Sequence, residues 1–234
     1  MGPLLLINPN TSVGMTALLH AHAQAAAGPA IEVRSVTAGF GAPYIACEAS
    51  YAVAAHAVLD AWTTAIAGAP PEGVEPCAVL IGCFGDPGLW ALRQESGAPV
   101  TGLAEGAFFE AAGHGRFAIV TGGERWRAML ERLAQALGFG DRLAGIETVG
   151  PSGAELAADP VAARALLGAA CRQAVSRTGA QSVILGGAGL AGMAAELQAT
   201  VEVPLIDSVR AGTRHALALA AAAARPPAGS DPQR

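Results

Sequence analysis

Two stretches of this 234-residue chain, AVLIGCFGDPGL at residues 78–89 and SVILGGAGLAGM at residues 182–193, have the same order of features. Each has a short apolar run, a glycine, one variable residue, a glycine-containing turn and the beginning of a helical pattern. Short apolar runs bounded by such turns are typical of buried strands in parallel sheets. In this alignment Cys83 of the first stretch corresponds to Gly187 of the second.

The repeat extends beyond these two stretches. APVTGLAEG at residues 98–106 matches VPLIDSVRAG at residues 203–212, and LLLINPNTS at residues 4–12 matches FAIVTGGER at residues 117–125. The matches come in the same order in both halves of the chain. The sequence therefore predicts two pseudo-symmetric lobes with an active-site cleft between them.

Apolar runs alternate with alanine-rich helical stretches along the whole chain. Strands are predicted at 4–7, 31–37, 78–81, 100–103, 117–120, 145–149, 182–185 and 204–206, and helices at 11–27, 50–67, from about 88, after 103, 126–137, 160–178, 190–200 and 209–224. This alternation predicts an α/β fold in which each lobe is a parallel sheet flanked by helices. We expect residues 1–98 and 208–234 in the first lobe, residues 99–207 in the second, and a disordered tail at 225–234.

The composition limits the possible functions. The formal net charge of −5 provides no basic surface for nucleic acid or an anionic membrane. All 14 basic residues are arginine, which excludes a lysine Schiff base with pyridoxal phosphate and a Walker A lysine. The five histidines are too scattered to form a metal-ligand set. We therefore expect a small-molecule carbonyl or carboxylate substrate and neither a metal nor a cofactor.

The sequence also carries signals about location and assembly. The first residues, MGPLLLINPN, lack the basic region and the apolar length of a signal peptide, and no apolar run is long enough to span a membrane. The four cysteines contain no C-x-x-C pair and are expected to be reduced thiols in the cytoplasm. Alanine-rich helical surfaces indicate a homo-oligomer.

The second glycine-rich turn matches the sequence pattern of a nucleotide-binding loop. Gly187, Gly189 and Gly192 form G-x-G-x-x-G, and Asp207 follows about twenty residues later. Too little chain follows Asp207 to complete a nucleotide-binding sheet, so a dinucleotide site is disfavoured. Ligands of doubly wound sheets bind beyond the carboxyl ends of the strands. We therefore expect this turn to face the turn at Cys83.

Cys83 is the predicted catalytic residue. It follows a buried strand and a glycine, and the segment DPG at 86–88 is typical of a helix start with Asp86 as N-cap. A helix N-terminus and free backbone N–H groups are expected to lower the pKa of the thiol. The same N–H groups, near Phe84 and Gly85, are expected to hold a substrate carboxylate or an enolate oxygen. The alternative is a buried structural cysteine.

Polar residues follow the first strand of each lobe. Asn8, Asn10 and Thr11 are expected to hydrogen-bond a polar small molecule, although turn formation and helix capping explain such residues equally. Thr121 and Gly122 offer a hydroxyl and a close backbone approach, or a tight turn alone.

On the second glycine-rich turn, Ala188 is expected to contact the substrate beside Gly187. Glu105 and Asp207 follow later strands, and their role is open between fixing the loops and taking part in the site.

Several motifs resemble those of the aspartate/glutamate racemase superfamily, most closely its hydantoin racemase branch. They are INPNTS at residues 7–12, CFGDPGL at 83–89, PVTGLAEG at 99–106, and LGGAGLAGM at 185–193 with PLID up to Asp207. The resemblance spans residues 6 to about 212. It implies two pseudo-symmetric α/β lobes with a cofactor-free active site between them. In such enzymes two cysteines on opposite faces of the substrate exchange the proton on the carbon next to a carbonyl.

This chain has the first of those cysteines, Cys83, but Gly187 at the position of the second. Racemisation therefore requires water or a non-cysteine residue as the second base. The resemblance also includes the arylmalonate decarboxylases, in which one cysteine, in the second half, protonates the carbanion left by loss of carbon dioxide. We expect a cofactor-independent racemase or epimerase acting through Cys83 on a hydantoin, an amino acid or a related small acid. The alternatives are a single-cysteine decarboxylase, lyase or isomerase, and a non-catalytic small-molecule binding protein.

Overall fold

The chain forms two four-stranded parallel sheets within residues 2–68 and 75–225, the part that the computed structural model describes. The first half contains β1 (Leu4–Asn8), α1 (Val13–Ala27), β2 (Val33–Thr37), α2 (Glu48–Ala67), β3 (Ala78–Ile81), α3 (Leu89–Glu95), β4 (Val100–Gly102) and α4 (Leu103–Ala112). Its strand order is β2-β1-β3-β4. Apart from Arg225, the predicted disordered tail lies outside the described residues.

The second half repeats this arrangement. It contains β5 (Phe117–Gly122), α5 (Trp126–Ala136), β6 (Leu143–Val149), α6 (Gly153–Ala158), α7 (Pro160–Thr178), β7 (Ser182–Gly186), α8 (Met193–Leu197), β8 (Leu205–Asp207) and α9 (Ser208–Ala223). Its strand order, β6-β5-β7-β8, is the order of the first sheet with every number raised by four. The predicted α/β fold with two similar parallel sheets is therefore confirmed.

The central strands are buried on both faces, which is why they read as continuous apolar runs. In β1, Leu4 and Leu6 pack into one hydrophobic cluster and Leu5 and Ile7 into another on the opposite face of the sheet. Successive side chains of a strand point to opposite faces, so helices must cover both sides. Each fully buried leucine or isoleucine contributes about 1.5–3 kcal/mol.

The predicted lobe boundary at residue 98 is wrong for one strand. β4 was expected in the second lobe, but it pairs in parallel with β3, with Val100 opposite Val79. A parallel strand that follows a short helical crossover packs beside its predecessor, and this pairing is not encoded in the local sequence. At the end of the chain α9 packs against α1, β3 and β4, and we propose that it belongs to the first lobe, as the sequence predicted.

The predicted helix at 190–200 is interrupted. It consists of a 3-10 turn at Ala188–Leu190, then α8, then a second 3-10 turn at Gln198–Thr200. Gly192 precedes α8 with a φ of +86°, which breaks the helical path. In the part of the chain that the structure describes, no helix is long and apolar enough to cross a membrane.

Candidate active site

The ends of the strands in both lobes surround a small cleft that is open to solvent. It is lined by Asn10, Met15, Tyr44, Ile45, Gly82, Cys83, Phe84, Thr121, Gly122, Trp126, Gly186, Gly187, Ala188 and Gly189. Most of the site residues predicted from the sequence are in this lining. Three of them, Asn8, Thr11 and Gly85, are outside it.

Asn8 stabilises the turn between β1 and α1 through hydrogen bonds and does not line the cleft. Its side chain is fully buried, and its Nδ2 group donates to Asn10 Oδ1 and Thr16 Oγ1, each at 2.9 Å, and to the carbonyl of Ser12 at 3.1 Å. Asn10 Oδ1 also accepts from the Ser12 N–H at 2.9 Å. Because both of these bonds use Oδ1, the Nδ2 group is the donor that Asn10 can offer to a substrate.

Thr11 and Gly85 also have structural partners. The Thr11 N–H donates to the Ala42 carbonyl at 3.2 Å, and Ser12, not Thr11, caps α1 through its hydroxyl. The Gly85 carbonyl accepts from the Tyr51 hydroxyl at 2.7 Å. A Cβ atom at Gly85 would lie 2.6 Å from the Trp126 ring, so this glycine is required by the close approach of the aromatic side chain.

Cys83 follows β3 and Gly82, and only 9% of its surface is exposed. Burial raises the pKa of its thiol, and the charge of Asp86 raises it further. The predicted lowering is therefore wrong. Removing water penalises the thiolate, and the neighbouring charge is an anion where a cation would be needed to offset that penalty. The result is a side chain held as a neutral thiol, which is the form that donates a proton.

The sequence predicted Asp86 as the N-cap of α3, and this prediction is wrong. Gly88 occupies that position, and no side chain caps the helix. The Asp86 carboxylate instead accepts from the backbone N–H groups of Ala104 at 2.9 Å and Glu105 at 2.8 Å, at the start of α4. Burial raises the pKa of Asp86 to about 7 against the lowering effect of these bonds.

Gly187 lies on the turn of the second lobe that corresponds to the Cys83 turn, and this turn presents backbone atoms to the cleft at that position. Gly187 has a φ of +142°, and its N–H donates to Ser208 Oγ at 3.2 Å. A Cβ atom here would meet nothing closer than Leu190 Cγ at 3.7 Å. The position therefore has room for a side chain but a backbone conformation that favours glycine.

Gly186 brings the two lobes into contact. A Cβ atom at Gly186 would overlap the Phe84 ring, so the ring of the residue next to Cys83 rests directly on the backbone of β7. Thr121 Oγ1 donates to the Gly186 carbonyl at 2.7 Å, which fixes the ends of β5 and β7 together. The hydroxyl oxygen of Thr121 remains able to accept a hydrogen bond from a substrate.

The chemistry of the lining is nearly all neutral. Among the residues that line the cleft, Cys83 and Tyr44 carry a titratable proton, and none is a lysine, arginine, histidine, aspartate or glutamate. Met15, Ile45 and Trp126 provide apolar surface. The cleft therefore suits a neutral molecule that has hydrogen-bonding groups on one part and an apolar group on another.

Seven lining residues were not among the predicted site residues: three glycines, Gly82, Gly186 and Gly189, and four residues with larger side chains, Met15, Tyr44, Ile45 and Trp126. Tyr44 and Ile45 lie in the loop before α2, and Trp126 begins α5 after the turn that follows β5. A position just beyond a strand end is the signal that could have found Trp126. The long β2–α2 loop offers no such signal, because its path over the cleft is set by packing.

The other cysteines lie outside the cleft. Cys47 precedes α2, and a hydrogen bond with the Ser50 side chain lowers the pKa of its thiol. Cys171 is buried in α7, and burial raises its pKa to about 12. Cys77 is partly buried ahead of β3, and burial raises its pKa.

The architecture and the sequence match one family. The family model described as Asp/Glu/Hydantoin racemase matches residues 4–216 of the chain. The chain belongs to the Asp/Glu/hydantoin racemase family. It is accordingly an isomerase of the racemase type, as the sequence motifs implied.

Relatives within this family share about a third of the residues. The hydantoin racemase of Pseudomonas sp. (strain NS671) is 32% identical over 212 residues, which are 90% of this chain and 83% of the relative. The hydantoin racemase of Paenarthrobacter aurescens is 33% identical over 93% of this chain and 91% of the relative.

Solved racemase-family structures superimpose on the fold. Allantoin racemase from Klebsiella pneumoniae is 31% identical and has a TM-score of 0.87, with 95% of this chain and 89% of that chain covered. A double mutant of arylmalonate decarboxylase in its liganded form has a TM-score of 0.67 at 20% identity, over 97% of this chain and 96% of that chain, which shows a shared fold alone.

Proposed function

We propose that the protein racemises or epimerises a neutral cyclic amide of the hydantoin type, and that Cys83 transfers the proton at the carbon next to the carbonyl. The observation that carries this proposal is the presence of a thiol in a cleft whose lining has no charged side chain. A free amino acid would bring an ammonium and a carboxylate into the cleft, and unpaired buried charges cost several kcal/mol or more. A hydantoin ring is neutral and presents amide groups. The hydantoin racemases among the relatives support the same substrate class.

The groups that line the cleft can perform each part of this reaction. When the thiolate of Cys83 removes the proton, the C–H bond breaks, an S–H bond forms, and the electron pair moves to the carbonyl oxygen as an enolate. Asn10 Nδ2 and backbone N–H groups of the two glycine-rich turns are the available donors for that oxygen. In the reverse step the neutral thiol, which burial favours, returns a proton to the carbon.

The second proton carrier is a separate part of the proposal. Gly187 has no side chain, and Tyr44 is the other residue with a titratable proton in the lining. Tyr44 reaches the cleft from the β2–α2 loop, a different segment from the Cys83 turn. We assign the second proton to the Tyr44 hydroxyl, with water as the alternative to be separated by experiment.

The test is hydrogen exchange measured together with inversion. Each enantiomer of a 5-substituted hydantoin with an apolar substituent is incubated with enzyme in heavy water, and deuterium at the ring carbon and enantiomeric composition are followed. The proposal expects deuterium in both enantiomers with the wild type and none above background with Cys83→Ala. Cys47→Ala, which removes a more acidic thiol outside the cleft, is the matched control and is expected to behave as wild type. Full activity of Cys83→Ala would refute the assignment.

A single-thiol lyase is the second candidate, favoured by the presence of one thiol in the lining. Here loss of carbon dioxide from a malonate-type acid would generate the carbanion, and Cys83 would protonate it. Release of carbon dioxide from such an acid without racemisation of hydantoins would select this function. Membership in a racemase family favours either enzyme over a non-catalytic binding protein. The homo-oligomeric state and the cytoplasmic location stay predictions.

A further inference from the structure

Asp86 has an unusual conformation close to the proposed catalytic thiol. It is the only non-glycine residue with a positive φ, +51°, in the part of the chain that the structure describes. Its N–H donates to the Cys83 carbonyl at 3.1 Å, and the residue is fully buried. A left-handed backbone costs a non-glycine residue about 1–2 kcal/mol, and such strain is concentrated at functional sites.

The side chain of Asp86 joins two turns. Its carboxylate accepts from the N–H groups of Ala104 and Glu105, so it connects the Cys83 turn with the beginning of α4. A Cβ atom at Gly102 would overlap this carboxyl group, so the glycine leaves the space that the side chain occupies. The position of Cys83 is therefore tied to the β4–α4 junction.

The second lobe makes the same connection in a different way. Asp207, at the end of β8, accepts from the Gly192 N–H at 2.6 Å through one oxygen and from the N–H groups of Val209 and Arg210 through the other. Its carboxylate thus joins the second glycine-rich turn to α9 from the strand side and stays partly exposed. In the second lobe a carboxylate outside the turn is thus sufficient to join the turn to a helix. Because Asp86 lies on the turn itself, three residues after the thiol, and is fully buried, we consider a second role for it besides joining the turn to α4.

The charge of Asp86 acts on few groups. Besides Cys83, the titratable groups that face it are Tyr51, whose hydroxyl donates to the Gly85 carbonyl, and Glu105. Glu105 is itself paired with Arg93, so that cation is engaged elsewhere. Asp86 forms no ion pair among the described residues. When it is ionised, its field is therefore not cancelled by a neighbouring cation and disfavours a second negative charge on Cys83.

We infer that Asp86 is a positioning residue that holds the Cys83 turn against α4 and, when ionised, keeps the Cys83 thiol protonated, so that the two groups titrate as a coupled pair. Its meaning for catalysis rests on the proposed function of Cys83, but its test does not require activity. Strongly coupled groups lose their protons in steps that belong to the pair. The reactivity of the thiol therefore records the charge of Asp86.

The experiment measures alkylation of Cys83 by iodoacetamide as a function of pH. It uses the full chain carrying Cys47→Ala and Cys77→Ala, with peptide mass spectrometry to identify the modified residue. Only the thiolate reacts, so an isolated thiol gives a rate that rises tenfold per pH unit below its pKa. Coupling to Asp86 is expected to add a shoulder near neutral pH, where Asp86 becomes ionised. Asp86→Asn is expected to abolish the shoulder and to increase the rate above it about tenfold or more.

Glu105→Gln is the matched control, because it removes a carboxylate from the same helix end but leaves the charge of Asp86 in place. It is expected to retain the shoulder. An uninterrupted tenfold rise per pH unit in the unsubstituted Asp86 protein would overturn the inference, and so would equal rates for Asp86 and Asp86→Asn. If Asp86→Asn does not fold, the presence or absence of the shoulder in the Asp86 protein decides alone. Retained racemase activity in Cys83→Ala would refute the proposed function and leave this result unaffected.

Discussion

Replacing Gly187 by cysteine places a second thiol at the position that matches Cys83 in the repeat. The structure separates its energetic cost into two parts. The nearest atom to a new Cβ is Leu190 Cγ at 3.7 Å, which is an ordinary contact, so no steric overlap is expected. The φ of +142° is a region that only glycine adopts readily. We therefore expect Gly187→Cys to lower the free energy of unfolding by about 1–3 kcal/mol.

For a chain of this size, each kcal/mol changes Tm by about 2–4 °C. Gly187→Ala is the matched control, because it has the same backbone strain and no thiol. Both variants are expected to show a similar fall in Tm, measured by thermal unfolding. A Tm equal to that of the wild type would contradict the strain argument.

The thiol should then separate the two variants in activity. A positioned general acid or base contributes about 10²–10⁴-fold. To remove the contribution assigned to Tyr44, both variants are made in the Tyr44→Phe protein. In that background we expect Gly187→Cys to racemise a 5-substituted hydantoin at least about 100-fold faster than Gly187→Ala, measured by chiral chromatography from each enantiomer. Equal rates in two folded variants would refute the idea that position 187 faces the reacting carbon.

Three further outcomes follow from the site. Tyr44→Phe is expected to reduce inversion about 100-fold while deuterium exchange through Cys83 persists in one enantiomer; loss of both, or of neither, would reject Tyr44 as the second carrier. Gly186→Ala drives a methyl group into the Phe84 ring and is expected to cost about 1–3 kcal/mol in urea unfolding, and an unchanged midpoint would contradict that contact. In the folded protein the pKa of Asp86 is raised to about 7, whereas the ordinary pKa of an aspartate, which applies to the unfolded chain, is about 4. Its contribution to stability is therefore complete below about pH 4 and is lost as the pH rises through about 7. The wild type should therefore lose up to about 4 kcal/mol over that interval, and Asp86→Asn should lack this part of the slope.

Much of the architecture could be predicted from the sequence because it is recorded locally. The buried strands are short apolar runs, and β3 and α7 have the predicted bounds. The repeat placed Cys83 and Gly187 at corresponding turns, and both line the cleft. Strand ends of a parallel sheet meet at one edge, so turn residues can be assigned to a site before their contacts are known.

Other features depend on partners far along the chain. β4 joined the first sheet through its pairing with β3, and Tyr44 reached the cleft through a loop whose path is set by packing. Asp86 has the local pattern of a helix cap, yet its carboxylate bonds to the N–H groups of Ala104 and Glu105 on another helix. A capping pattern shows which atoms can bond but not which donors the fold brings near.

The sequence by itself determined that this protein has two α/β lobes, one thiol at the first glycine-rich turn and no side chain at the second. These properties follow from residue type and from periodicity along the chain. Only the tertiary structure decided the protonation of that thiol. Burial and the charge of Asp86 raise the pKa of Cys83, whereas the turn sequence predicted the opposite. The reason is that the stability of a charge depends on water and on neighbouring groups in space, and both are set by how the lobes pack.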